Sequence, residues 1–304
     1  MDLPITVRNM HLELPTQDEF DPLWAMNDPT ASYFTLGLSL YLPYLEPYII
    51  KALRKGAADV RDDSIRETID KFCRQEAQHY KQHQRFNELM RARDYPGLDA
   101  IENQARHDFE RFLAEKPLKF NVGFVEGFES YTTQGAAASL NSGVFNRKDV
   151  DQKFADLFRW HLTEEIEHRT VAFDVWEHLY GDYVYRVKMC WIAQWHVFGF
   201  LWKTASLMSR VDTLRYGSRY RIPPLKKFGF LVVAFAAVFI GVLVVGAILN
   251  YFLGQLVSGT GLAGTDRVLG IAFGVARGVA GQELPRHRLD PGSRRRRPVA
   301  RPAG

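Results

Sequence analysis

Cysteine is scarce in this 304-residue chain: Cys73 and Cys190 are the two present, far apart in sequence. That excludes a disulfide-stapled scaffold and any cysteine-rich zinc or iron–sulfur site. A strong charge of one sign is missing too. Thirty-nine Lys and Arg face 35 Asp and Glu, and the run Arg294-Arg295-Arg296-Arg297 alone could supply the net +4. No nucleic-acid partner is indicated by so small a surplus. The opening MDLPITVRNMHLELP has no basic start followed by an apolar run, so no signal peptide is expected. There is no GxSxG elbow, no Ser-His-Asp arrangement and no phosphate-binding glycine loop. Nucleophilic-serine and phosphate-cradling chemistries are therefore set aside.

What the chain does have is helical periodicity. Strand-like alternation is sparse, and residues 30–225 read as an all-α domain behind an N-terminal segment, residues 1–29. Asp62-Asp63-Ser64 starts a long amphipathic helix that Pro96-Gly97 closes; Pro117 opens another, which Asn141-Ser142-Gly143 ends. A third runs from Asp149-Val150-Asp151 through WHLTEEIEHRTVAFDVWEHLY to Gly181, and an aromatic helix follows through MCWIAQWHVFGFLWKTASLM. Pro43 and Pro47 flank Glu46, so the helix bearing Glu46 is expected to begin near Pro43 or to kink there.

Residues 228–253, FGFLVVAFAAVFIGVLVVGAILNYFL, carry no charge. About 20 apolar residues suffice to cross a bilayer core as a helix, so a C-terminal transmembrane helix is expected. Lys203, Arg210, Arg215, Arg219, Arg221, Lys226 and Lys227 precede it, against Arg267 alone soon after. The positive-inside rule then predicts a single-pass membrane protein with its N-terminal domain in the cytoplasm. Residues 254–304 form a basic Pro/Gly/Arg-rich tail, expected to be disordered.

Two ExxH pairs carry the chemistry: Glu76-x-x-His79 and Glu165-x-x-His168. Residues three apart share a helix face, so each pair can offer a carboxylate and an imidazole to one metal ion. One such pair alone is weak, because glutamate and histidine are common on solvated helices. Here both are expected mid-helix, and two further apolar helices carry glutamates: Glu46 in LSLYLPYLEPYIIKAL, Glu126 and Glu129 in VGFVEGFESYTT. Buried carboxylates repel one another and cost several kcal/mol each unless something pairs with them. Two divalent cations would balance four carboxylates. Four helices each giving one Glu, two of them as ExxH, is the pattern of ferritin-like dinuclear bundles, so the expected fold is a ferritin-like four-helix bundle.

His161, Glu165 and His168 lie at offsets 0, 4 and 7 on one stripe. His161 is preferred to His83 as an extra ligand, because Trp160 suggests burial whereas Lys81, Gln82 and Gln84 suggest solvent around His83. The expected metal ligands are Glu46, Glu76, His79, Glu129, His161, Glu165 and His168. His83, Glu126 and Glu164 are candidate further ligands or groups that orient a ligand, and no catalytic residue beyond the ligands is assigned.

WHLTEEIEHRTVAFDVW, FCRQEAQHYKQHQRFN and LPYLEPYII resemble the signature blocks of the predicted metal-dependent hydrolase family, over roughly residues 30–225. In that pattern Glu129 matches the family's glutamate, while Ser130 stands where the family usually has histidine. The HxxxExxH arrangement also resembles the ligand helix of arylamine N-oxygenase-type di-iron proteins, which implies His161 as a seventh ligand.

Three functions are compatible with these parts. The favoured one is a di-iron enzyme that oxidises a hydrophobic small molecule with O2, drawing electrons from a separate donor protein. Phe124, Phe128, Tyr131, Phe173 and Trp176 are candidate linings of its pocket. The second is hydrolysis by a metal-activated water, for which zinc or manganese would serve. The third is metal binding without catalysis.

Overall fold

The structure is a computed structural model and describes residues 4–224. It is all-helical, as the periodicity implies. Among the described residues seven α-helices follow in order: α1 Pro29–Ala57, α2 Asp63–Ala92, α3 Leu98–Glu115, α4 Leu118–Asn141, α5 Gln152–Glu167, α6 Val171–Leu179 and α7 Tyr183–Tyr216. Aspartates cap four of them. Asp28, Asp62, Asp151 and Asp182 each accept from a backbone N–H of the first turn, which satisfies a donor that has no partner within the helix.

Two boundaries differ from the sequence expectation. α1 does not begin near Pro43; it starts at Pro29 and runs through both prolines. Pro43 has no N–H, so the carbonyl of Ser39 one turn earlier loses its helical donor. Asn87 of α2 fills the gap, its Nδ2 donating to Ser39 O at 2.7 Å. The expected helix from Asp149 to Gly181 is instead two. α5 ends at Glu167, His168 is its C-cap, and α6 begins at Val171. The break is tight: His168 N–H still reaches Glu164 O at 3.2 Å, and Val171 N–H bonds back to His168 O at 3.0 Å. No glycine or proline marks it, which is why periodicity runs straight across.

Buried faces follow helical spacing. On α2, Ile69, Phe72, Cys73, Glu76, His79, His83, Phe86, Asn87 and Met90 are all buried, so polar residues stand inside an otherwise apolar stripe. On α5 the equivalent stripe is Phe154, Leu157, Phe158, His161, Glu164 and Glu165. Tyr48, Phe109, Phe112 and Phe124 form an aromatic cluster between α1, α3 and α4, with ring centroids 4.8 Å apart for Tyr48 and Phe109. α7 closes on α4 where Gly127 lets the backbones meet: a Cβ there would stand 2.6 Å from Cys190 Cα.

The N-terminal segment lies along α2 and α5. Gln75 and Gln82 donate to the carbonyls of Thr6 and Met10 at 3.0 and 2.9 Å. Farther on, Trp24 and Met26 bond to the chain around Val150. Among the described residues no helix is long and apolar enough to cross a membrane. The charge-free run 228–253 and the tail 254–304 lie outside the described residues.

Candidate metal centre

α1, α2, α4 and α5 each send one glutamate to a common point: Glu46, Glu76, Glu129 and Glu165, all buried. His79, His161 and His168 join them and are equally buried. His168 Nε2 lies 3.2 Å from Glu76 Oε1, His161 Nε2 3.0 Å from Glu165 Oε1, and His79 Nδ1 3.5 Å from Glu76 Oε1. Two sets of potential donor atoms result. Glu76, His79, Glu165 and His168 form one; Glu46, His79 and His161 form the other, and within each the atoms lie within 4.8 Å of one another. His79 is common to both. Glu129 stands beside the first set, 3.8 Å from His168 Nδ1.

The cluster is polar, buried and unsatisfied. Both oxygens of Glu46 and Glu129, one oxygen each of Glu76 and Glu165, both nitrogens of His168 and Nδ1 of His79 have no hydrogen-bond partner. Leaving one such atom unpaired costs about 1–3 kcal/mol, so a concentration of them at one point calls for a partner. Carboxylate and imidazole donors together suit divalent iron, zinc or manganese. The residues present therefore fit a metal pair by donor type, by burial and by the lone pairs left open.

Protonation follows the same logic. Burial pushes the carboxyls of Glu46 and Glu129 well above the usual range, helped by the neighbouring glutamates; Glu165 is pushed up to about 7. Burial would raise Glu76 as well, but His79 and His168 outweigh it and hold that carboxyl far below its ordinary value. Burial works to lower His79, yet Glu76 and Glu164 drive it well above the usual imidazole range. Without cations, protons take over part of the neutralisation.

Around the cluster sit groups that aim its members. Glu164, a rival to Glu165 by stripe position, turns to His79 Nε2 at 3.1 Å and to Arg8 Nη1 at 2.9 Å. Its carboxyl is lowered, because hydrogen bonds from His79 and Arg8 exceed the cost of burial. Arg8 also pairs with Glu167 at 2.6 Å, and Gln75 donates to Glu167 at 3.0 Å. Aromatic edges frame the imidazoles: Phe72 meets His168 and Trp160 meets His79, at 4.6 and 5.0 Å between centroids. Glu126 is not with the cluster. It faces α7, where Arg186 lies 3.2 Å away, and it accepts from Ser130 Oγ at 2.6 Å.

His83 corrects the solvent argument made from Lys81, Gln82 and Gln84. It is fully buried. Its Nε2 lies 3.1 Å from His161 Nδ1 and its Nδ1 lies 2.9 Å from Ser39 Oγ. The polar neighbours misled because they sit at other helix angles: Gln82 reaches across to the N-terminal segment. Arg8, Ser39 and Asn87 were not anticipated at all. For Ser39 and Asn87 a signal existed. Asn87 follows His83 by four residues and Ser39 precedes Glu46 by seven, each on a ligand stripe. Arg8 lies in an irregular segment and carried none.

The expected aromatic pocket does not form as a unit. Phe124 packs in the Tyr48 cluster, Trp176 stacks on Tyr185 at 5.8 Å, Tyr131 is 63 % exposed, and Phe173 lies under Arg186. Clefts of about 510, 480 and 440 Å³ all border α3, and none is lined by a residue of the cluster.

Comparison with known proteins adds two short matches and one long one. The chain is 62 % identical over 47 residues to the colicin V production protein of Escherichia coli (strain K12), which is 16 % of this chain and 29 % of that protein. It is 62 % identical over 46 residues to the colicin V production protein homolog of Haemophilus influenzae (strain ATCC 51907 / DSM 11121 / KW20 / Rd), 15 % of this chain and 28 % of that protein. The chain thus spans less than a third of the length of these curated relatives. No solved structure matches it. The long match takes in the whole glutamate–histidine cluster: over residues 6–252 the chain fits the model of the predicted metal-dependent hydrolases, and it belongs to that family.

Proposed function

We propose that Glu46, Glu76, His79, Glu129, His161, Glu165 and His168 hold two divalent metal ions, iron in the working protein, and that the chain oxidises a hydrophobic small molecule with O2. The observation that carries this is the convergence of four buried carboxylates and three buried imidazoles with most of their polar atoms unpartnered. Two bound irons would supply the electrons and the Lewis acidity for O2 chemistry, with a separate donor protein returning the electrons. The chain's own part is to gather and aim the ligands. Four carboxylates neutralise two cations, and the three imidazoles leave the donor set rich in nitrogen. Glu164 fixes the His79 ring, and Phe72 and Trp160 keep bulk water from the imidazole edges.

Hydrolysis by a metal-activated water is the second reading, favoured by the description of the family itself. Membrane attachment through residues 228–253, with the metal domain cytoplasmic, is proposed on the absence of charge in that run. It would bring a lipid-like substrate close.

The test uses the full chain, loaded separately with Fe2+ under anaerobic conditions and with Zn2+. Metal analysis should give two ions per chain, and admitting O2 to the iron form should consume O2 and produce a coupled diferric Mössbauer signal. Ester or amide turnover by the zinc form, with no O2 uptake by the iron form, would establish the hydrolytic reading instead. Sedimentation with lipid vesicles that survives alkaline carbonate extraction is expected of a spanning segment.

A further inference from the structure

The interaction between His83 and His161 has a polarity that the surrounding groups dictate. Pro43 leaves the carbonyl of Ser39 without its helical donor, and Asn87 Nδ2 donates to it at 2.7 Å. The amide of Asn87 is thereby oriented, with Oδ1 toward Ser39. Ser39 Oγ must then be the donor in its 2.7 Å contact with Asn87 Oδ1. Having spent its one proton there, Ser39 Oγ can only accept from His83 Nδ1, 2.9 Å away. So His83 carries its proton on Nδ1, and its Nε2 is a lone pair. That lone pair faces His161 Nδ1 at 3.1 Å, which must be the donor. A neutral His161 protonated on Nδ1 leaves Nε2 bare, and Nε2 is the atom 3.0 Å from Glu165 Oε1, which in the metal-free chain meets it as a protonated carboxyl that donates. Every group in the chain is buried, so no water competes for these roles.

We propose that His83 is a positioning residue: through Ser39 and Asn87 it holds His161 as the Nδ1–H tautomer and so makes Nε2 the metal-facing atom. The metal-facing part rests on the reading of the cluster as a metal centre; the tautomer itself does not. His83 belongs to neither set of donor atoms. It acts through His161, as the carboxylate or carbonyl partners of metal-bound histidines commonly do, but with an imidazole whose own proton is fixed from α1. Pro43, inside α1, supplies the starting point of this hydrogen-bond chain.

The experiment is a long-range 1H–15N correlation spectrum of the full-length, metal-free chain with 15N-labelled histidine. The His161 signals are identified by their loss in His161→Gln. Wild type should show His161 protonated on Nδ1 alone. Ser39→Ala, a small change two contacts away, frees His83 to reverse its tautomer, and a population of His161 Nε2–H should appear. His83→Phe should do the same, and His83→Gln, whose amide oxygen can accept, should restore Nδ1–H. Zn2+ affinity, read by competition with a chromophoric chelator, should fall about 10–100-fold in Ser39→Ala and His83→Phe and recover in His83→Gln. Near-ultraviolet circular dichroism checks that each variant keeps its packing. A wild-type His161 protonated on Nε2, or variants with wild-type tautomer and affinity, overturns the proposal. A wild-type chain that binds no Zn2+ or Fe2+ overturns the metal reading, and the two failures stay distinct because the tautomer is read without metal.

Discussion

Glu164 Oε2 lies 3.1 Å from His79 Nε2, so adjacent glutamates on α5 serve different ends. Glu165 enters the cluster, while Glu164 fixes the ring of a histidine on α2 and is itself held by Arg8. Glu164→Gln keeps the shape and removes the charge. It is expected to weaken divalent-metal binding about 10–100-fold, as loss of such orienting partners commonly does. Arg8→Ala should cost less, because Arg8 is partly exposed and solvent can replace it. Chelator competition with Zn2+ measures both, and equal affinity in wild type and Glu164→Gln would remove Glu164 from this role.

Glu76 on α2 and His168 at the end of α5 lie 3.2 Å apart inside the cluster. Both belong to the set Glu76, His79, Glu165 and His168, so removing either one leaves that position short of a donor. Glu76→Ala and His168→Ala should each purify with about one metal ion per chain or fewer, against two for wild type. Elemental analysis after dialysis reads this, and full occupancy in either variant would displace these residues from the ligand set.

The sequence made the buried cluster legible because helix geometry sets which side chains share a face. ExxH spacing forces Glu76 and His79, and Glu165 and His168, onto shared faces, and Glu46 and Glu129 stood out as carboxylates in apolar surroundings. What periodicity could not supply was the surroundings of each ligand. The break at His168 has no proline or glycine to announce it, and at Pro43 in α1 a side chain on α2 replaces the lost backbone donor. His83 looked solvated because its sequence neighbours are polar, although they occupy other angles on the helix. Such tertiary compensation depends on residues tens of positions away, and no local window contains them.

The proton balance of the cluster gives a stability profile with a defined sign. Above the ordinary imidazole value of about 6.5, His79, Glu46 and Glu129 hold protons in the folded, metal-free chain that the unfolded chain has released, and Glu165 does so up to about pH 7. Their raised values mean that stability falls as pH rises through that range. Below about 6.5, His83 and His161, which burial keeps neutral, act in the opposite sense and flatten the curve. Glu76, held low, contributes no slope here. Thermal melts of the chain in excess chelator should therefore show the midpoint dropping between pH 6.5 and 8.5. With Zn2+ bound the trend should reverse, since metal binding displaces those protons and tightens as pH rises. A metal-free midpoint that climbs across this window would contradict the assignment.

The last test needs no metal at all. Gly127 sits where α4 and α7 meet, and a methyl group there would stand 2.6 and 2.7 Å from the Cα and N of Cys190 and 2.9 Å from the carbonyl carbon of Met189. All three are backbone atoms, so the clash is relieved only by moving a helix. Overpacking of this kind costs about 1–3 kcal/mol, and a rigid backbone wall places Gly127→Ala at or above the top of that range. Gly199, also on α7, has nothing within 4 Å of its would-be Cβ, so Gly199→Ala should stabilise the chain by about 0.5–1 kcal/mol through helix propensity. Urea unfolding in excess chelator compares them with the metal contribution removed. Opposite shifts of the midpoint are expected from the same chemical change, and a Gly127→Ala variant as stable as wild type would mean that α7 does not lie this close to α4.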